Sequence, residues 1–240
     1  MYALSVYIKV VNMSDSLAPH TWKPIWVLSA LLVVFVGPIF GPVTGYARDA
    51  LGVRGGAGLV VALFTVVFLA LAVGTIRWVR QQGEGLADLG WRQPTRTSAV
   101  IVAVLWAVLW AGFNIMGYVH QIDKAADPME ISLLRAGTAS GGLVIAFCED
   151  LIGRGFIMNH LKKLGRGTWF QVLFSSFIFA FYHSVWTLSI AGFIMSLIVG
   201  LILAGFFVWG RRSLTPVLVA HGLCLFLGEP FLTMFMLAAG

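Results

Sequence analysis

Three ionisable side chains fall close together inside an apolar stretch of the sequence. The segment FCEDLIGRGF, residues 147–156, contains Glu149, Asp150 and Arg154. On a helix, Asp150 and Arg154 are four residues apart and can pair along one face. Glu149 lies about 100° further round the helix, so that pair does not need to engage it. Charged side chains inside long apolar segments usually mark functional sites, and the spacing leaves one carboxylate, Glu149, free for another role.

Two histidines occupy comparable positions in later apolar segments. FAFYH contains His183, and PVLVAHGLCLF contains His221. Counted from the basic end of each segment, Glu149 and His183 are about 14 and 15 residues deep, or ~21–23 Å, so they can meet. His221 is about nine residues deep, or ~13 Å, and needs a tilt or a longer extension of the other two helices to join them. A single histidine in such a segment often only bridges two helices, but a glutamate, an aspartate, an arginine and two histidines together favour a functional polar site.

The composition indicates the class of protein in which these residues lie. Of the 240 residues, 59% are hydrophobic and 11% are charged, and the mean hydropathy is +0.91. Soluble domains have about 25% charged residues, so the chain is predicted to be a polytopic membrane protein embedded in a lipid bilayer. The net charge of +6 comes from residues dispersed in short loops, which argues against nucleic-acid binding. Cys148 and Cys224 both fall in apolar segments, where they are expected to pack as small apolar side chains rather than form a disulfide framework.

Seven apolar segments predict the architecture, an all-α transmembrane helix bundle of about seven spans. Residues 1–22 are expected to form a cytoplasmic N-terminal tail and residues 23–240 a transmembrane helical domain. A kink is expected in the first span, where Gly37, Pro38, Gly41 and Pro42 are close together. The predicted spans are about 23–46, 56–79, 97–119, 131–160, 168–187, 189–210 and 213–238.

The basic residues predict the orientation of the bundle. Eleven lie in the tail and loops of one side and three (Arg48, Arg54 and Lys124) on the other, so the N-terminus is expected to be cytoplasmic. Residues 1–12 are expected to be dispensable, with Met13 as the natural start. The eleven are Lys9, Lys23, Arg77, Arg80, Arg92, Arg96, Lys162, Lys163, Arg166, Arg211 and Arg212.

In their order and separation, the polar motifs resemble those of the CPBP family, which contains type II CAAX prenyl endopeptidases and Abi-type, bacteriocin-processing membrane proteins. The family pattern is Glu-Glu-x-x-x-Arg, then Phe-x-x-x-His, then His-x-x-x-Asn/Asp on successive helices. Here it is matched by EDLIGR from Glu149, by FAFYH from Phe179 and by HGLCL from His221. LADLGWRQP, residues 86–94, also resembles the stretch that precedes the family core. The resemblance covers about residues 86–228, with the core in the last four spans.

The resemblance implies a role for each motif residue. Glu149 would be the general base that activates a water, and His183 would assist it. Arg154 would hold Asp150 and the helix geometry, and His221 would donate a hydrogen bond to the developing oxyanion. A glutamate and two histidines could also bind zinc, but the absence of H-E-x-x-H and the arginine beside two carboxylates favour a mechanism without metal or cofactor.

Two residues depart from the family pattern. Asp150 replaces the second glutamate, and it can still pair with Arg154. Leu225 replaces the Asn/Asp of the third motif, and leucine cannot donate to an oxyanion; losing one such donor costs roughly 10²–10³ in rate. Asn114 is another candidate donor, although a bond to a neighbouring helix is the simpler expectation. Glu229 is expected to face the outer interface.

Three functions are compatible with the sequence. The first is an intramembrane glutamic endopeptidase, in a bacterial cell membrane, that cleaves a membrane-associated peptide or protein; prenylation of the substrate is not required. The second is a degenerate relative that binds a membrane protein partner without cleaving it, as an immunity or assembly factor would. The third, a transporter, fits the composition, but no internal repeat is visible. The intact Glu149, Arg154, His183 and His221 favour the first, whereas Leu225 favours the second.

Overall fold

A computed structural model describes residues 20–91, 96–124 and 126–239, and within these ranges the chain is helical and contains no β-strand. The predicted all-α class is therefore confirmed. The proposed tail up to residue 19, with its alternative start at Met13, lies outside the described residues.

The N-terminal helices form a hairpin. Helix α1 (Lys23–Leu31) continues through π-helical segments at Leu32–Val36 and Ile39–Val43 into α2 (Thr44–Gln81). The predicted distortion of the first span is thus present as wide helical turns around Pro38 and Pro42, since proline cannot supply the backbone N–H of a regular turn. Within α2, Gly52 has a φ of 69°, a conformation that favours glycine. The chain folds back there, and a Cβ on Gly56 would lie 3.1 Å from the carbonyl of Ala47.

The remaining helices carry the motif residues. A 3₁₀ turn at Leu86–Leu89 precedes the third helix, and an N-cap bond from the Arg135 amide to the Ser132 side chain starts the fourth. The fourth helix runs through a π-helical segment at Leu151–Met158 into the fifth without a break. The helices are α3 (Thr97–Gln121), α4 (Leu133–Asp150), α5 (Asn159–Lys163), α6 (Thr168–Ser184), α7 (Ile190–Trp209), α8 (Thr215–Gly228) and α9 (Phe231–Ala239).

Length and composition identify the helices that can cross a membrane. In the described part of the chain, Lys23–Gln81, Thr97–Gln121 and Ile190–Trp209 qualify, and α8 with α9, which are bent by 71° to each other, would make a fourth. The chain is a multi-pass membrane protein. Each of the seven predicted segments falls on helix, and the number of membrane crossings remains a prediction.

Helix α4 lies at the centre of the bundle, between α2 and α8. Small residues allow the close contacts: a Cβ on Gly142 would lie 2.9 Å from Leu225 Cβ, and one on Gly200 would lie 3.1 Å from Ser176 Cα. Small residues at helix crossings are typical of membrane bundles, where they let backbones approach. Cys148 and Cys224 are buried and free, as expected for packing residues.

Arg212 connects the ends of three helices. Its guanidinium donates to Asn159 Oδ1 at 2.7 Å, to the Met158 carbonyl at 2.9 Å and to Gln171 Oε1 at 2.8 Å. These bonds set α5, the first turn of α6 and the start of α8 at one level. The depths of the residues further along those helices are thereby fixed relative to one another.

Candidate active site

The charged stretch lies where α4 becomes π-helical. Glu149 and Asp150 are the last residues of α4, and Arg154 lies within the π-helical segment. π-Helical turns are rare in proteins, and those that occur are often found at functional sites. Asp150 Oδ1 is 3.2 Å from Arg154 Nη1, and both side chains are fully buried. The predicted ion pair is confirmed, and Glu149 takes no part in it.

Glu149 lies between the two histidines. Its Oε1 is 3.8 Å from His183 Nε2, and its Oε2 is 3.7 Å from His221 Nε2. The expectation that these three residues meet is therefore fulfilled in the geometry. Both gaps exceed the length of a direct hydrogen bond and suit a bridging water.

His221 reaches this depth because the fourth and fifth helices extend past the start of α8. Arg212 is hydrogen-bonded to Asn159 and so lies level with it. From this common level, Glu149 is ten residues along its helix and His221 nine residues along its own. Lys163, from which Glu149 is 14 residues deep, lies about one turn further out than Asn159. A longer extension of the neighbouring helix, one of the two expected explanations, accounts for the contact.

Hydrogen bonds orient both imidazoles. His183 Nδ1 lies 2.6 Å from the carbonyl oxygen of Phe179, which can only accept, so Nδ1 carries the proton. His221 Nδ1 lies 3.1 Å from Asp150 Oδ2, and a carboxylate likewise requires a donor. In their neutral forms both rings therefore direct an unprotonated Nε2 toward Glu149. Asp150 thus joins Arg154 to His221, a link that was not anticipated from the spacing.

Two aromatic residues, neither of which has a role predicted from the sequence, complete the site. The Tyr182 hydroxyl donates to Glu149 Oε1. The Phe179 ring lies 4.7 Å from the Arg154 guanidinium carbon and 4.2 Å from the His183 ring, so it packs between the charged pair and the imidazole. Phe179 belongs to a family motif and could have been proposed on that basis. Tyr182 precedes His183 by one residue, and nothing in its spacing indicates that it faces Glu149.

Glu149, His183 and His221 line one cavity of about 230 Å³, whose other walls are mostly apolar. Leu225 lies in the same lining. So does Glu229, which is 3% exposed, and the expectation that it faces the outer interface is wrong. The reason is that α8 ends at Gly228 and the bend into α9 encloses the residue that follows.

Asn114 does not contribute to the site. Its amide nitrogen donates to the carbonyl of Trp110 in its own helix, at 2.7 Å. It lines a separate depression beside α9 instead of the cavity around Glu149. Among the described residues, no group of three or more His, Cys, Asp and Glu side chains has the arrangement of a metal site.

A helical membrane bundle that encloses a glutamate and two histidines defines a class: polytopic membrane proteins with an intramembrane polar site. The comparison with known families is more specific. Residues 131–227 match the family described as type II CAAX prenyl endopeptidase Rce1-like. Over this segment the chain is similar to that family, and the CPBP resemblance of its motifs is confirmed. The matched segment contains the five motif residues Glu149, Asp150, Arg154, His183 and His221. No curated protein and no solved structure matches the chain.

Proposed function

We propose that this protein is an intramembrane endopeptidase that hydrolyses a peptide bond of a membrane-associated protein or peptide. The observation that carries the proposal is the Glu149 carboxylate, which lies 3.7–3.8 Å from the Nε2 atoms of two histidines on separate helices. The family match supports a protease fold. The proposal involves no metal or cofactor.

Glu149 would act as the general base. A water between Glu149 and His183 would donate to Oε1 and to Nε2, both of which are acceptors in the geometry described above. Glu149 takes one proton as the water oxygen bonds to the scissile carbonyl carbon, and the same proton then passes to the leaving nitrogen as the C–N bond breaks. Tyr182 would position the carboxylate through its hydrogen bond. The products are a new carboxyl and a new amine.

His221 would stabilise the oxyanion when it is protonated. Its Nε2–H would then point into the cavity, while Asp150 offsets the charge of the imidazolium from the other side of the ring. Arg154 would hold Asp150 in place through the buried ion pair. Leu225 supplies no second donor, so we expect a slower reaction than the full family pattern would support.

The cavity walls indicate an apolar substrate segment. The lining includes Phe64, Phe68, Trp106, Met195 and Val199, and apolar pockets with a few placed polar groups are typical of binding sites. We place the enzyme in the cell membrane, with its N-terminus in the cytoplasm, because of the distribution of basic residues. The bond to be cleaved would then lie within or close to the lipid.

Cleavage of peptides by the purified protein tests this function. A panel of lipidated and unlipidated peptides, each labelled at both ends, is incubated with the protein in detergent and in liposomes. We expect wild-type protein to cut at least one peptide, and Glu149→Gln and His183→Ala to abolish the cut. Glu84→Gln is the matched control, since Glu84 pairs with Lys163 at 2.5 Å outside the cavity. An inert wild-type protein across the whole panel would refute the proposal.

Leu225 supports a second candidate, a degenerate relative that binds a membrane protein partner. Leucine lies in the cavity at the position where the family pattern has a polar side chain. This function requires the fold but not the base. The partner-binding function is favoured if the wild-type protein cleaves no peptide of the panel and cells that depend on the gene still grow when the gene encodes Glu149→Gln.

A further inference from the structure

Glu229 is a buried carboxylate that the proposed reaction does not use. It lines the same cavity as Glu149 and His221. Thr233 donates to its Oε1 at 2.8 Å, whereas its Oε2 has no hydrogen-bond partner among the described residues. A buried carboxylate oxygen without a donor is costly, so this position favours a ligand that supplies one.

The surroundings of Glu229 suit a cationic donor. No ion pair to Glu229 is formed by the described residues; Arg135, beside α8, instead donates to the carbonyls of Pro128 and Leu227 at 2.6 and 3.4 Å. Trp106 and Trp110 line the cavity as well, stacked with 5.3 Å between ring centroids. A carboxylate and tryptophan rings that line the same cavity are a combination that suits ammonium and guanidinium groups.

The position of Glu229, directly after the last residue of α8, sets the register. It follows His221 by eight residues, or ~12 Å of helix, and an extended peptide covers that distance in about three to four residues. On the basis of the proposed function, we infer that Glu229 binds a basic side chain of the substrate about three to four residues from the bond that is cut. The cavity would thus select substrates that have a lysine or arginine within an otherwise apolar segment.

The test uses a series of apolar peptides in which one lysine is moved stepwise along a constant sequence. Each peptide has a partner with methionine, which has a similar length and no charge, at the same position. We expect wild-type protein to cleave the lysine peptide of one register with a kcat/KM about tenfold or more above that of its methionine partner. Glu229→Gln should remove most of this ratio, Glu229→Asp should retain part of it, and Glu84→Gln should leave it unchanged.

Binding separates this inference from the proposed function. The same peptides are titrated into Glu149→Gln protein and into the Glu149→Gln/Glu229→Gln double variant, and tryptophan fluorescence reports their affinities. Tighter binding of the lysine peptide that disappears in the double variant supports the inference even if no peptide is ever cut. Cleavage by wild-type protein without a lysine advantage in any register overturns it and leaves the endopeptidase intact. A ratio that is the same with and without Glu229 also overturns it.

Discussion

Replacing Asp150 with asparagine is expected to destabilise the fold and disturb the site at the same time. Asp150 is fully buried, and its oxygens lie 3.2 Å from Arg154 Nη1 and 3.1 Å from His221 Nδ1. Asparagine removes the charge and leaves the buried guanidinium unpaired, which costs about 3–5 kcal/mol. For a chain of this size, the melting temperature should fall by roughly 6–20 °C, as measured by thermal unfolding in detergent.

Two further variants separate stability from activity. Asp150→Glu, the residue of the family pattern, keeps the charge and should retain most of both. Asp150→Asn with Arg154→Met removes both charges and should recover much of the lost stability. Peptide cleavage should not recover, because His221 still lacks the carboxylate that orients it. If the Asp150→Asn variant has the melting temperature and the cleavage rate of the wild-type protein, the proposed role of the Asp150–Arg154 pair is wrong.

Three further substitutions test single contacts. Tyr182→Phe removes the hydroxyl that donates to Glu149 and should lower kcat about tenfold or more; steady-state kinetics that show no change would exclude its positioning role. Leu225→Asn restores the side chain of the family pattern and should raise the cleavage rate, by up to about 10²–10³; no gain in the same assay means that this donor does not limit the reaction. Gly142→Ala brings a methyl group to 2.9 Å from Leu225 Cβ and should cost about 1–3 kcal/mol of unfolding free energy. Gly137→Ala, on the same helix with nothing within 4 Å, should be neutral or stabilising by up to about 1 kcal/mol, and equal melting temperatures of the two variants would contradict the close packing of α4 on α8.

The helices and part of the polar site can be predicted from local sequence patterns. Long apolar segments predict helices because the backbone must satisfy its own hydrogen bonds in lipid. The four-residue spacing of Asp150 and Arg154 predicts their ion pair, because residues four apart lie on the same face of a helix. The proximity of Glu149 and His183 follows from a count of residues, since helix rise converts sequence distance into depth.

Other features depend on how helices pack, which no local pattern records. Asp150 reaches His221 through the packing of α4 against α8, which is also close at Gly142. Tyr182 faces Glu149 through the rotation of α6, and Glu229 is enclosed by the bend between α8 and α9. Tyr182 is next to His183 in the sequence, and Glu229 follows the last residue of α8. The direction in which each side chain points is nevertheless set by tertiary contacts.

The source of the oxygen in the product tests the central claim most directly. Wild-type protein is allowed a single turnover on a cleavable peptide in H₂¹⁸O, and mass spectrometry then locates the isotope. A water activated by Glu149 places one ¹⁸O atom in the new carboxyl group of the product and none in the enzyme. An unlabelled product together with ¹⁸O on Glu149 would instead show that the carboxylate itself attacks the peptide, and would contradict the proposed general-base mechanism.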